Sequence, residues 1–147
     1  MKFLKYIIIF LFVVSCGYQP MLVINQSDFK YNNIDLKGNP DISRKISKNI
    51  QYLKDEEAKI NIILDVSFEK LIVSKNKKGN PEIFNMQIQA ILTVVDNGKN
   101  VVNKFRKNTS YNNKSNKFEL KQYENSLKNN LIEKISEDIL IFLQSYS

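Results

Sequence analysis

From Ala58 onward, apolar and polar residues alternate. Ile60, Ile62, Leu64, Val66 and Phe68 fall on one side of an extended chain, while Asn61, Asp65, Ser67 and Glu69 fall on the other, with Ile63 the one exception. A period of two with a single apolar side predicts a half-buried strand. The pattern returns over Glu82–Val95, where Phe84, Met86, Ile88, Ala90, Leu92 and Val94 oppose Asn85, Gln87 and Gln89. It returns again over Asn100–Tyr111, with Val101, Phe105, Thr109 and Tyr111 opposite Lys104, Arg106 and Asn108. The breaker-rich stretch Lys75–Pro81 (KNKKGNP) separates the first two runs, and Asp96-Asn97-Gly98-Lys99 separates the second and third. Asn-Gly tolerates positive φ, the signature of a tight hairpin turn. An antiparallel meander follows.

Two stretches change period. Ile42, Ile46, Ile50 and Leu53 recur at spacings of four, four and three after Asn39-Pro40, a capping residue followed by a proline suited to the first helical position. Leu120, Tyr123, Leu127, Leu131, Ile135, Ile139, Phe142 and Tyr146 recur at three or four after Asn116, which has Glu119 three residues on. The second helix, Asn116–Leu143, is long enough to cross the sheet at about 1.5 Å per residue. A coiled coil is the rival use of its stripe, but three one-faced strands need a cover. A weaker alternation over Asp28–Leu36, with Phe29 and Tyr31 on one face, predicts a first strand. The expected fold is α+β: a two-layer sandwich of a mainly antiparallel four-stranded sheet with two helices packed on one face, in the order β-α-β-β-β-α. Residues 28–147 are expected to form this one domain, with no internal repeat.

The N-terminus follows a different logic. Lys2 and Lys5 precede the apolar run Tyr6–Val14, and the small Ser15 stands directly before Cys16. That is the layout of a secretory signal. A transmembrane anchor needs about 20 apolar residues, and here Ser15, Gly17, Gln19 and Pro20 end the run early. A plain secretory signal cut elsewhere is the other reading. Val13-Val14-Ser15-Cys16 resembles the lipobox of bacterial lipoproteins, which implies cleavage between Ser15 and Cys16, a thioether-linked diacylglyceryl group on Cys16 and acylation of the new amine. A lone thiol in an exported chain has no disulfide partner, and lipidation gives it a use. Two or more acyl chains are enough for stable anchoring. Residues 1–15 then form a lipoprotein signal peptide, and 16–27 a lipidated N-terminus and tether. In lipoproteins of this kind an aspartate after the cysteine goes with retention in the inner membrane; Gly17 stands there, so the resemblance implies the outer membrane.

Composition narrows the chemistry. The 147 residues include 22 basic and 15 acidic, a net charge of +7, and losing Lys2 and Lys5 leaves 20 − 15 = +5. Histidine and tryptophan are absent and Cys16 is the single cysteine. Nucleophilic catalysis lacks its usual base, and nothing around Ser67, Ser74 or Ser110 resembles a Ser–Lys pair. Zinc would have carboxylates alone. Glu56, Glu57, Glu133, Glu137 and Asp138 are read as solvated charge. No enzyme, cofactor or metal is expected, and an active site would require Asp65, Glu69 and a lysine to share a pocket. Two basic groups remain: Lys75, Lys77 and Lys78 in the first hairpin, and Lys104, Arg106 and Lys107 mainly on the polar face of the last strand. If they met at one end of the sheet they would attract an anionic ligand such as a phosphorylated lipid; otherwise they keep a loop and a sheet face soluble. Nucleic acid is excluded by compartment more than by charge.

Cys16-Gly17-Tyr18-Gln19-Pro20-Met21, with this order of elements, resembles the start of alphaproteobacterial members of the LPS-assembly lipoprotein family, the LptE type, whose mature chains tend to begin Cys-Gly-aromatic-x-Pro-Leu. Met21 is a conservative departure, and the resemblance in layout extends over the mature chain. It implies a periplasm-facing subunit of the outer membrane. Such a subunit plugs a β-barrel LPS translocon, assists its assembly and binds lipopolysaccharide, with ligand contacts from basic residues; by position these would be Lys75, Lys77, Lys78, Lys104 and Arg106. Another small lipoprotein module, a pilotin-like secretion accessory or a cell-wall-binding domain, is the alternative.

Overall fold

The computed structural model describes residues 28–146, so the signal segment, the tether, Ser15 and Cys16 lie outside the described residues. Six elements follow in the order β1 (Asn33–Gly38), α1 (Pro40–Ile50), β2 (Asn61–Lys75), β3 (Pro81–Asp96), β4 (Lys99–Asn112) and α2 (Lys117–Ser145), with a 3₁₀ turn at Gln51–Leu53 closing α1. The order in the sheet is β1-β2-β3-β4. β1 runs parallel to β2, as a connection through a helix permits, and the other two pairs are antiparallel hairpins. This is the expected α+β sandwich of four strands and two helices.

Local chemistry sets the element ends. The Asn39 side chain accepts from the Ile42 N–H at 3.1 Å and Pro40 opens α1. At α2, Asn116 Oδ1 accepts from the Phe118 and Glu119 N–H groups at 3.0 and 3.3 Å, while its amide donates to the Glu119 carboxylate at 3.2 Å. The β3–β4 turn places Asn97 at φ 47° and Gly98 at φ 81°, the positive pair that a two-residue hairpin requires. Gly38 has φ +74° where the chain leaves β1, and the next amide, Asn39 N–H, donates to the Val66 carbonyl at 2.7 Å.

The core lies between the sheet and the helices. Ile62, Leu64 and Val66 of β2, Met86, Ile88, Ala90, Leu92 and Val94 of β3, and Phe105 and Tyr111 of β4 are buried against Ile42, Ile46 and Ile50 of α1 and Leu131, Ile135 and Ile139 of α2. Truncating one such fully buried isoleucine to alanine costs about 2–5 kcal/mol. The helices also meet each other, Asn49 donating to the buried Ser136 hydroxyl at 2.9 Å.

Three details depart from the sequence pattern. Pairing of β1 starts at Asn33, not Asp28: Phe29 and Tyr31 are buried, but the chain bends at Asn32, whose N–H donates to Ile60, and Tyr31 exchanges backbone bonds with Leu53 and Asp55 instead of β2. On α2 the buried stripe includes Ile132 and Leu143, in the half where Asn49 of α1 meets Ser136, while Tyr123 stays at the surface with its ring edge-on to Tyr111. Lys107, expected with Lys104 and Arg106 mainly on the polar face, has the parity of Phe105 and faces the helices, where it pairs with Asp138 at 2.7 Å.

Candidate functional site

β2 and β3 are longer than β1, so past Val66 their hairpin continues with no neighbour on the β1 side. Its loop is organised by one side chain. Asn76 Oδ1 accepts from the Lys78 and Asn80 N–H groups, both at 3.0 Å, and the Asn76 N–H donates to the Asn80 carbonyl at 2.9 Å. With the backbone so occupied, Lys75, Lys77 and Lys78 extend into solvent.

The meander brings a second basic segment to the same end. β4 finishes beside the start of β3, and Asn113 fastens the linker there: its N–H donates to the Glu82 carbonyl at 2.8 Å and its side-chain amide to the Pro81 carbonyl at 2.8 Å. Lys114 and Lys117 follow, both exposed. A polar cleft of about 580 Å³ separates the hairpin loop from this linker, lined among others by Asn76, Asn80, Glu82, Asn113, Lys114 and Lys117. The capped N-terminus of α2 opens beside it, adding the partial positive charge of a helix start. Five lysines therefore frame one end of the sheet, against the carboxylates of Glu82 and Glu119.

A half-buried clasp holds this end together. Lys70 of β2 pairs with Glu124 of α2 at 2.6 Å and lies 4.4 Å from the Phe84 ring centre. Tyr111 of β4 donates to the same carboxylate at 2.8 Å and stacks on Phe84 with ring centres 5.6 Å apart. Burial raises the Glu124 carboxyl, but hydrogen bonds from Lys70 and Tyr111, with the charges of Lys70 and Lys117, more than offset it and leave the group below its ordinary value. Burial first, then the bond to Glu124 and its charge, push the Tyr111 phenol well up.

The other predicted residues lie elsewhere. Lys104 and Arg106 are on the open face of the sheet, and Arg106 donates to Gln89 Oε1 at 2.9 Å. Arg106 is 112 − 106 = 6 residues from the end of β4, which places it about 20 Å from the lysine-framed end at roughly 3.3 Å per residue. The two basic groups do not meet. Asp65 and Glu69 also stand on the open face and line neither this cleft nor a smaller hollow of about 180 Å³ beside α1. Glu56, Glu57, Glu133 and Glu137 are exposed. Among the described residues no cluster of three or more metal-ligating side chains occurs, and no helix is long and apolar enough to cross a membrane.

Sequence reasoning passed over Lys114 and Lys117. Their signal was topological: in an up-and-down meander the β2–β3 turn and the end of β4 share one end of the sheet.

No protein-family model matches the chain, and no curated protein does. Solved structures share its fold. A rare lipoprotein B from Shewanella oneidensis superposes with a TM-score of 0.60 at 17% identity, covering 78% of this chain and 96% of that one. An uncharacterized lipoprotein B from Nitrosomonas europaea gives 0.62 at 12% identity, over 80% and 85%. A putative lipoprotein from Caulobacter crescentus gives 0.56 at 10% identity, over 77% and 88%. At these identities the likeness is one of fold.

Proposed function

We propose that the chain is an outer-membrane lipoprotein, anchored through Cys16 and facing the periplasm, that partners a β-barrel LPS translocon and binds lipopolysaccharide in transit. The observation that carries the reading is the lysine-rich end of the sheet: Lys114 of the linker and Lys117 at the start of α2 line one polar cleft, and the loop whose Asn76 and Asn80 form its other wall carries the exposed Lys75, Lys77 and Lys78. Clustered cations concentrate anionic ligands, and ammonium groups engage phosphate as point charges. Lys104 and Arg106 offer a second contact on the open face, where the Arg106 guanidinium, which donates to Gln89, is a group able to grip a phosphate with two N–H donors. That face carries Asn85, Gln87 and Gln89 as well, a surface suited to a wet barrel lumen. The fold shared with proteins called lipoproteins and the lipobox at Cys16 agree with the reading.

The test is purification of the native chain from detergent-solubilised membranes. A β-barrel protein should accompany it in comparable amount, and mass spectrometry should find the diacylglyceryl thioether on Cys16. A processed chain with a free Cys16 thiol, or one recovered alone from the inner membrane, would contradict the proposal.

A further inference from the structure

Below the lysines of the β2–β3 hairpin is a band of exposed apolar residues that the core does not use. Leu71, Ile72 and Val73 are 55%, 49% and 59% exposed. Leu71 faces Asn85 on the open side of the sheet and Ile72 faces Phe84 on the helix side, while Val73 falls at an irregularity in the pairing. Apolar surface therefore runs round the strand and does not form a one-sided patch. A partner pressed against one face would leave the other half of it wet.

Between Lys70 and Pro81 the sequence has no carboxylate, and Lys75, Lys77 and Lys78 lie immediately beyond the apolar band. None of these three lysines has an ion-pair partner among the described residues. With the free edge of β2 past Val66 lying along a bilayer surface rather than the tip entering it, the apolar band and the lysines beside it reach the interface at one depth, where lysine stems bury while their ammonium groups stay wet among anionic headgroups.

We propose that this end of the hairpin docks onto the surface of an anionic phospholipid bilayer, Leu71, Ile72 and Val73 entering the headgroup region and the three lysines pairing with lipid phosphates. The docking is shallow for a physical reason: past Val66 the β1-side edge of β2 has no strand neighbour, and unpaired backbone groups are not tolerated in hydrocarbon. The irregularity at Ile72–Ser74 also twists the edge, which discourages pairing with a strand from another protein. The proposal goes beyond lipopolysaccharide binding and needs only anionic lipid.

The chain contains no tryptophan, so Ile72→Trp adds a sole reporter at a half-exposed position. The full-length variant purified from membranes is reconstituted into phosphatidylcholine vesicles with and without phosphatidylglycerol. With phosphatidylglycerol the emission should shift to the blue and be quenched by brominated acyl chains. A matching reporter, Val102→Trp, is 62% exposed in the parent but far along the sheet, about 33 Å from the end of β4, and should remain unshifted. Each lysine at an anionic surface contributes about fivefold to docking, so Lys77→Glu with Lys78→Glu should lower the docking constant at least about twentyfold. Water-like emission from Ile72→Trp in both vesicle types would overturn the proposal. So would an equal shift at Val102→Trp, or a shift that requires added lipopolysaccharide.

Discussion

Tyr111 and Glu124 are joined by a hydrogen bond of 2.8 Å that ties the end of β4 to the first turns of α2. Lys70 reaches the same carboxylate oxygen at 2.6 Å from β2. The lysines of the hairpin and those of the linker belong to segments that this clasp holds in register. Its loss would spread the cleft before it damaged the main core, which lies further along the sheet.

The clasp makes stability depend on pH at both extremes. Glu124 titrates below its ordinary value of 4.5 in the folded protein, so its contribution is present above that pH and is lost as pH falls through the folded value. Tyr111 titrates above its ordinary 10.0; its contribution is present below that pH and is lost as pH rises towards the folded value. Glu124→Gln should cost about 1 kcal/mol near neutrality, because a charge-assisted bond is replaced where solvent partly screens it. Urea unfolding at about pH 7 and about pH 2.5 should show the gap between parent and variant closing at the acid end. Tyr111→Phe should blunt the loss of stability above about pH 10.

Gly38→Ala should be among the most damaging single-methyl changes. An added Cβ would fall on the Val66 carbonyl oxygen, inside van der Waals contact, and 2.7 Å from Asp65 Oδ1, at a residue whose φ is +74°. Left-handed strain and overpacking act together, so a loss of more than about 2 kcal/mol is expected in thermal or urea unfolding. Gly79→Ala is the comparison. Its φ is also positive but no atom lies within 4 Å of the added carbon, so it should cost less.

Asn116→Ala removes the cap that receives the Phe118 and Glu119 amides. A loss of about 1 kcal/mol is expected, and Asn116→Asp, an equally good cap, should restore it. Hydrogen exchange should quicken in the first turn of α2 and hardly change beyond Leu131.

Much of this was legible in the sequence because the signals were local. The period-two runs located three strands, Asn97-Gly98 fixed one turn, and Asn39-Pro40 and Asn116 marked both helix starts. Residues 28–32 were misread because a buried Phe29 and Tyr31 look alike whether they pair in a sheet or fill a gap beside Leu53. Lys107 was misplaced because charge outweighed parity: its neighbour Phe105 showed which way odd positions face, and Asp138 on a distant helix supplied the partner. The lysine-framed end required contacts between segments far apart in the chain, and only the return of β4 to the start of β3 assembled it.

In the function proposed above, this end of the sheet holds the phosphates of lipopolysaccharide. Binding of purified lipopolysaccharide to the full-length protein, compared between parent and a Lys77→Glu, Lys114→Glu variant and repeated with enzymatically dephosphorylated lipid, tests it most directly. The variant should bind at least about tenfold more weakly, and dephosphorylation should weaken the parent while hardly affecting the variant. Equal affinity of parent and variant for phosphorylated lipopolysaccharide would contradict it.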